Sequence, residues 1–452
     1  MIYAQLKRTM KNFINHALIF FFPVLLGIMV STFSTGCDQP PTPAACSDNR
    51  TPIIFVHGAL ASGDTYSLQA QRFTSNGYCT KQLITFDWNT LNNGNTSTAL
   101  EVLQQQISRV LQEQNVPKVV LIGHSAGASL VYNFAKTAEN AHKLERVVLI
   151  GGATQAKPGG PDGSLPTLNI YSTSDTIVRT GGDIPGAQNV KLTTEDHYEV
   201  ATGASTFSSL YAFLNNGMAP KTTDVQAEEE IFLSGKVVSL GENTIAKNAT
   251  IKIFETDPAT GTFSQNSLRA TLKTDADGDW GPFWAKKDLR YAFQVIPANT
   301  ADRKVVYYRE PFTRSDHLVY LRTLPGIGSI AGLLTGSLPA TDAETGLVVF
   351  SANKAIIHER DRLFIGSNEL SLPTFASASQ TTIAFFLYDD NGNRQSDLSP
   401  IPLFNGFPFL KGVDYYLRST DIGPISLVFN NRTMNLARLQ ALKDGIVVAV
   451  FN

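Results

Sequence analysis

The sequence predicts two architectures in series: a mostly parallel β-sheet covered by helices on both faces over residues 50–218, and an all-β region from 231 to 452. Two observations carry this. In the first stretch, short apolar runs such as Ile53-Ile54-Phe55-Val56 and Val119-Val120-Leu121-Ile122 alternate with segments of helical period, the pattern of strands buried between helices. In the second, the helical period gives way to strand-length runs separated by turn signals. At 452 residues the chain can bury a core in each region, and a net charge of −2 gives no reason to expect nucleic acid as a partner.

Residues 1–36 read as an export signal. Lys7, Arg8 and Lys11 make a basic start, Phe13 to Val30 an apolar run, and 31–36 a stretch of mostly small residues before Cys37. Ser34-Thr35-Gly36-Cys37 resembles a bacterial lipobox, in which the cysteine is lipidated and anchors the chain to a membrane. The leucine usual three residues before that cysteine is Ser34 here. Ordinary secretion and an uncleaved apolar anchor are the alternatives. Residues 37–49 form a proline-rich tether. With Cys37 set aside, Cys46 and Cys79 remain as a pair, expected as a disulfide in an oxidising compartment.

From residue 50, strands are expected at 53–56, 83–87, 118–122, 147–150 and 168–171, and helices at 65–76, 98–114, 125–137 and 205–214. The run around Gly123-His124-Ser125-Ala126-Gly127 organises them. An apolar strand breaks at Gly-X-Ser-X-Gly and continues as a helix, the sequence of a nucleophile elbow. A serine nucleophile needs a base and a residue to orient that base. Asp175 lies just past the end of the 168–171 strand, with Asp183 and Asp162 as alternatives. His197 lies in a polar loop before the last helix; His57, His124 and His142 compete with it. In this arrangement Asp175 accepts from Nδ1 of His197, and Nε2 takes the Ser125 proton. Two backbone N–H groups, those of Ala59 after His57-Gly58 and of Ala126 after the serine, are placed to form an oxyanion hole.

Pro52 to Ala59, Gly123 to Gly127 and Asp196 to Thr202, in that order, resemble the secreted microbial lipases and esterases of the α/β-hydrolase fold. Within them the chain is most similar to two-part lipases whose β-rich C-terminal domain binds long acyl chains. It differs in Ala126, where many lipases carry methionine. The resemblance covers residues 50–218. It implies Ser125, Asp175 and His197 as a catalytic triad, Ala59 and Ala126 as oxyanion donors, and neither metal nor organic cofactor.

Residues 219–230 form a polar, acidic linker, followed by modules at 231–300 and 301–452. In the first, strands are expected at 231–239, 249–255, 268–274 and 291–297, and the block resembles transthyretin-like or carboxypeptidase-regulatory β-sandwiches. Asp275, Asp277 and Asp279 suit either a hairpin turn or a calcium ion, and the missing bidentate glutamate favours the turn. Asp389 to Asn393 reads as another hairpin turn. Further strands are expected at 304–308, 317–321, 346–350, 382–388, 415–419 and 445–451. Gly326 to Thr335 is a candidate loop on a lipid surface, and Phe404, Phe407, Phe409, Tyr415 and Tyr416 are either core or a lipid-contacting surface.

These readings predict an exported serine ester hydrolase, a lipase by preference. A polyester depolymerase or short-chain esterase is the alternative, and a non-catalytic surface binding protein a remote one. Acyl selectivity is expected in loops 88–99 and 152–166.

Overall fold

A computed structural model describes residue 46 and residues 48–452, apart from 92–95, 300–301, 327, 337, 340, 439–442 and 444. The expected export signal, the lipidated Cys37 and most of the 37–49 tether lie outside the described residues. Among the described residues, no helix is long and apolar enough to cross a membrane.

Six strands make the first sheet: β1 (Ile53–Val56), β2 (Leu83–Phe86), β3 (Val119–His124), β4 (Leu144–Ile150), β5 (Thr167–Ser172) and β6 (Gln188–Leu192). All are parallel, in the order β2-β1-β3-β4-β5-β6. The helices between and after them are α1 (Ser67–Ser75), α2 (Thr96–Glu113), α3 (Ala126–Ala135), α4 (Ala138–Ala141), α5 (Glu199–Thr202) and α6 (Ala204–Leu214). Side chains alternate between the faces of a strand. Ile53 and Phe55 therefore pack with Phe73 of α1 and Phe207 and Leu210 of α6. Ile54 and Val56 face the other way, onto Leu103 and Ile107 of α2 and Leu130 and Phe134 of α3. Burial on both faces is why β1 reads as an unbroken apolar run. Strand β6, at one edge, escapes the sequence because it is mostly solvated: only Val190 and Leu192 pack on the core. A Cys46–Cys79 disulfide ties the chain ahead of β1 to the turn before β2.

The second region contributes β7 (Ile231–Ser239), β8 (Thr250–Glu255), β9 (Leu268–Lys273), β10 (Asp279–Ala285), β11 (Tyr291–Ile296), β12 (Lys304–Arg309) and β13 (Leu321–Thr323). After α7 (Ile330–Gly336) come β14 (Gly346–Ser351), β15 (Leu363–Ile365), β16 (Asn368–Glu369), β17 (Ala384–Tyr388), β18 (Leu410–Asp414), β19 (Ile425–Phe429), β20 (Arg432–Leu436) and β21 (Gly445–Phe451). Eight strands form one mixed sheet, β18-β17-β14-β21-β12-β11-β8-β9, with smaller sheets β10-β7-β13 and β16-β15-β19-β20. The last strand shows how they stack. Ile446, Val448 and Val450 of β21 join a core with Leu233 of β7 and Trp280 of β10, while Val447, Ala449 and Phe451 join another with Leu427 and Phe429 of β19. The large sheet is thus covered on both faces by the smaller ones.

Five expectations for this region are corrected, the first being the strand expected at 317–321: β13 begins only at Leu321, where pairing with β7 starts. The Asp-Gly turn at 277–278 is tight, with Gly278 at φ 76°, but it does not close a hairpin. Strand β9 pairs with β8 while β10 pairs with β7, so the chain changes sheets there. Nor does 389–393 close one: β17 and β18 run parallel, which demands a crossover. A turn signal fixes local backbone geometry and leaves the pairing partner open. Residues 415–419 follow β18 rather than forming a strand, because the ladder with β17 spans 410–414. Finally, the apolar stretch at 326–335 carries most of α7, with Ala331 and Leu334 buried and Leu333 largely exposed.

The two regions share a core. Val238, Leu318 and Tyr320 pack with the first sheet's helix layer. The Tyr320 hydroxyl donates to Asp87 (2.6 Å), and Arg322 pairs with Asp64 at 2.7 Å with both side chains largely buried.

Candidate active site

Strand β3 ends at His124 and α3 begins at Ala126, so Ser125 alone makes the turn, at φ 54° and ψ −118°. That left-handed φ strains a serine, and the surroundings impose it. Ser125 N–H donates to the Ile150 carbonyl at 2.9 Å, and its own carbonyl accepts from Ala128 N–H at 3.0 Å. The glycines permit the close approach the turn requires. A Cβ on Gly127 would lie 2.2 Å from the Val56 carbonyl oxygen, and one on Gly58 would lie 3.0 Å from the Ser125 Cβ.

His197 comes to this serine from the loop between β6 and α5. Its Nε2 lies 2.9 Å from Ser125 Oγ, and its Nδ1 lies 2.6 Å from Asp175 Oδ2. A carboxylate only accepts, so Nδ1 carries the proton and Nε2 is left to accept from the serine hydroxyl. Asp175 Oδ1 accepts from the N–H groups of Ile177 (2.8 Å) and Val178 (2.9 Å). Burial pushes the Asp175 carboxyl up, but the His197 contact and these two amides outweigh it and hold it below the ordinary 3.8. Both the His197 and Asp175 side chains are 2% exposed, so water cannot compete for their bond. Ser125 is only half-buried and can be reached.

The competing candidates are occupied elsewhere. Asp183 accepts from the Tyr171 hydroxyl and Asp162 from Ser164, and His142 is exposed at the end of α4. His57 is buried with its Nδ1 2.8 Å from the Gly58 carbonyl, so Nε2 accepts from Trp88 N–H and Asn243 Nδ2, both at 3.2 Å. It props the turn that carries Ala59. His124 donates from Nε2 to the His197 carbonyl (2.8 Å), with the two rings 4.8 Å apart. Burial, helped by His197, pushes the His124 imidazole down to about 3, so it stays neutral beside the other ring. Ala126 opens α3, and its N–H has no acceptor within the helix. Ala59 lies on the exposed turn three residues after β1.

Three contributors are absent from the sequence reading in any such role. Asn243, from the second region, donates to the Ala61 carbonyl (2.8 Å) and to the Trp88 carbonyl (3.1 Å) as well as to His57. Arg360 donates to Asp196 next to His197 (3.0 Å), and the Phe409 ring stacks on the His197 ring. Of the aromatics singled out, Phe404 and Tyr415 are core, and Phe407 and Phe409 are half-buried. No local pattern marks these contacts, because each joins residues more than 150 positions apart. Among the described residues, no group of three His, Cys, Asp or Glu side chains is arranged to hold a metal ion.

A half-buried serine hydroxyl, an imidazole and a buried carboxylate thus stand in one hydrogen-bonded line. Family models match both regions of the chain. Residues 51–244 match the α/β hydrolase fold family, residues 229–324 the lipase C-terminal domain family, and residues 338–442 a further C-terminal-domain family. Similar solved structures include a CIB-like hydrolase from Thermoplasma acidophilum, at 14% identity over 38% of this chain and 89% of that chain, with a TM-score of 0.30. A mature lipase from Bacillus licheniformis (15% identity, 38% and 96% covered, TM-score 0.30) is another. A structure from work on carboxylesterases of Nitrososphaera gargenis (13% identity, 38% and 92% covered, TM-score 0.30) is a third. Residues 51–244 thus have the α/β hydrolase fold, and the β-rich region that follows begins with a stretch similar to the lipase C-terminal domain family.

Proposed function

We propose that this hydrolase is an exported serine carboxylic-ester hydrolase acting on lipid esters. The observation that carries the reading is the single imidazole of His197, hydrogen-bonded at once to Ser125 Oγ (2.9 Å) and Asp175 Oδ2 (2.6 Å). His197 takes the Ser125 proton as Oγ attacks the ester carbonyl, forming a tetrahedral intermediate whose oxyanion faces the N–H groups of Ala59 and Ala126. Protonated His197 then donates to the leaving alcohol, and an acyl-serine remains. Water, deprotonated by the same imidazole, releases the carboxylic acid. Asp175 stabilises the imidazolium in both halves, and neutral His124 adds no second positive charge beside it.

Long acyl chains are favoured by a cleft between the two regions, lined mostly by apolar side chains beside the Asp64–Arg322 pair. Leu60, one residue past Ala59, and Tyr198, next to His197, line one side, while Val348, Phe386, Leu410 and Val450 line the other. Export is favoured by the Cys46–Cys79 disulfide, which persists in oxidising compartments. The test is hydrolysis of p-nitrophenyl esters from acetate to palmitate. Ser125→Ala should lose activity on all of them, by about 10³-fold or more. Wild-type kcat/KM should rise toward the longer chains. Full activity in Ser125→Ala would overturn the mechanism, and a fall with chain length would overturn the lipid assignment alone.

A further inference from the structure

The loop that carries His197 runs from the end of β6 at Leu192 to the start of α5 at Glu199, with no regular structure of its own. Asp175 fixes one edge of the imidazole. Its backbone is held by Asp196, a carboxylate 4% exposed. Asp196 Oδ1 accepts from the N–H groups of Tyr198 and Glu199, both at 2.9 Å, closing the loop on itself. Asp196 Oδ2 accepts from two groups of the second region, Ala355 N–H and Arg360 Nη2, both at 3.0 Å. Arg360 also donates to Glu199 (3.1 Å) and to the fully buried Asp361 (2.8 Å), which in turn holds Lys354 at 2.6 Å. A further tie joins the Thr202 hydroxyl to the Asn353 carbonyl.

The ring itself has a neighbour from the same region. Phe409 lies nearly parallel to the His197 imidazole, at 14°, with centroids 5.9 Å apart. Its φ is 75°, a left-handed conformation that a bulky residue adopts only under constraint. The constraint is visible: its carbonyl accepts from Ile383 N–H (2.9 Å) and Ala384 N–H (3.1 Å), pinning it beside β17.

We propose that the β-rich region supplies two positioning residues for the base: Arg360, which clamps the His197 loop through Asp196, and Phe409, which backs the imidazole face. This rests on the reading of His197 as general base. The region then serves the hydrolysis step as well as lipid contact, and it is needed even for an ester too short to reach the apolar cleft.

The test uses the full-length protein and p-nitrophenyl butyrate, with kcat expressed per active site titrated to completion by a fluorophosphonate. A displaced base loses rate per site because catalysis depends on sub-ångström alignment, so Arg360→Gln should lower kcat about 10-fold or more with KM within about twofold. Arg360→Lys, which keeps the charge, should recover part of that loss. Phe409→Gly removes the ring while relieving the backbone strain, and should lower kcat about fivefold without reducing the titratable fraction. Should Arg360→Gln fail to fold, the Arg360→Lys and Phe409→Gly values decide. Rates per titrated site within about twofold of wild type in these variants, or losses that only follow the titratable fraction, would overturn the proposal. Should Ser125→Ala remain active, the triad reading itself falls; should Ser125→Ala be inactive while these variants keep their rate per site, only the positioning role does.

Discussion

The molecule contains two large sheets, each buried on both faces, and only one of them gathers a candidate active site. The difference lies in strand direction. In the six-stranded sheet every strand runs the same way, so the turns after β1, β3 and β5, which carry Ala59, Ser125 and Asp175, emerge at one edge. In open parallel sheets this carboxyl edge is where sites form. The eight-stranded sheet mixes parallel and antiparallel neighbours, so its connections leave from both edges and, among the described residues, collect no such set. Its contribution to the site is indirect, through side chains that reach across to the His197 loop.

This contrast can be broken most severely at the elbow. Gly127→Val would drive a side chain into the Val56 carbonyl, a backbone atom that cannot move aside, and should destabilise the protein by about 4 kcal/mol or more. Soluble yield and circular dichroism would register it. Next in size is the bond between the regions. Asp64→Ala leaves the Arg322 guanidinium buried without its partner and should lower stability by about 4 kcal/mol in urea unfolding, and the double variant Asp64→Ala/Arg322→Met should recover much of that. Cys79→Ala opens a loop of 33 residues' separation and should lower stability by about 3 kcal/mol.

Smaller effects distinguish a carboxylate of each region by the sign of their pH dependence. Asp175 is held below 3.8, so the unfolded chain takes up that proton first as the solution is acidified. The stability it contributes is present above 3.8 and is lost as pH falls through its lower folded value. Asp175→Asn should flatten this acid limb of Tm against pH. Asp414, at the end of β18, is pushed the other way. Burial and the nearby Asp389 and Asp397 raise it to about 6, so the folded state holds the extra proton and stability falls as pH rises from 3.8 to about 6. Asp414→Asn should therefore raise Tm at pH 8 and leave it unchanged at pH 4.

The same contrast explains what the sequence disclosed. The elbow and its strand are legible because their determinants are local: a β-branched run, a glycine pair and a serine within nine residues. Asp175 and His197 are legible because a parallel sheet puts strand-end residues at one edge in chain order. The β-rich region is legible as strands but not as pairings. Asp277-Gly278 marks a turn equally well whether β10 returns to β9 or crosses to β7; β9 and β10 pack on one core from different sheets, Leu272 and Trp280 both joining it, and the turn residues do not encode that. Phe409 illustrates the remaining gap. Its sequence context suggests an aromatic core or surface residue, and its place over His197 depends on how two regions dock, which no local pattern encodes.

The most direct test of the account is where an electrophile reacts. Treated with one equivalent of a fluorophosphonate and mapped by mass spectrometry, the wild-type protein should carry a single adduct on the peptide containing Ser125. His197→Ala should label at least 100-fold more slowly, because the hydroxyl has lost its base. An adduct on another residue, or labelling of His197→Ala at the wild-type rate, would contradict a Ser125 nucleophile activated by His197.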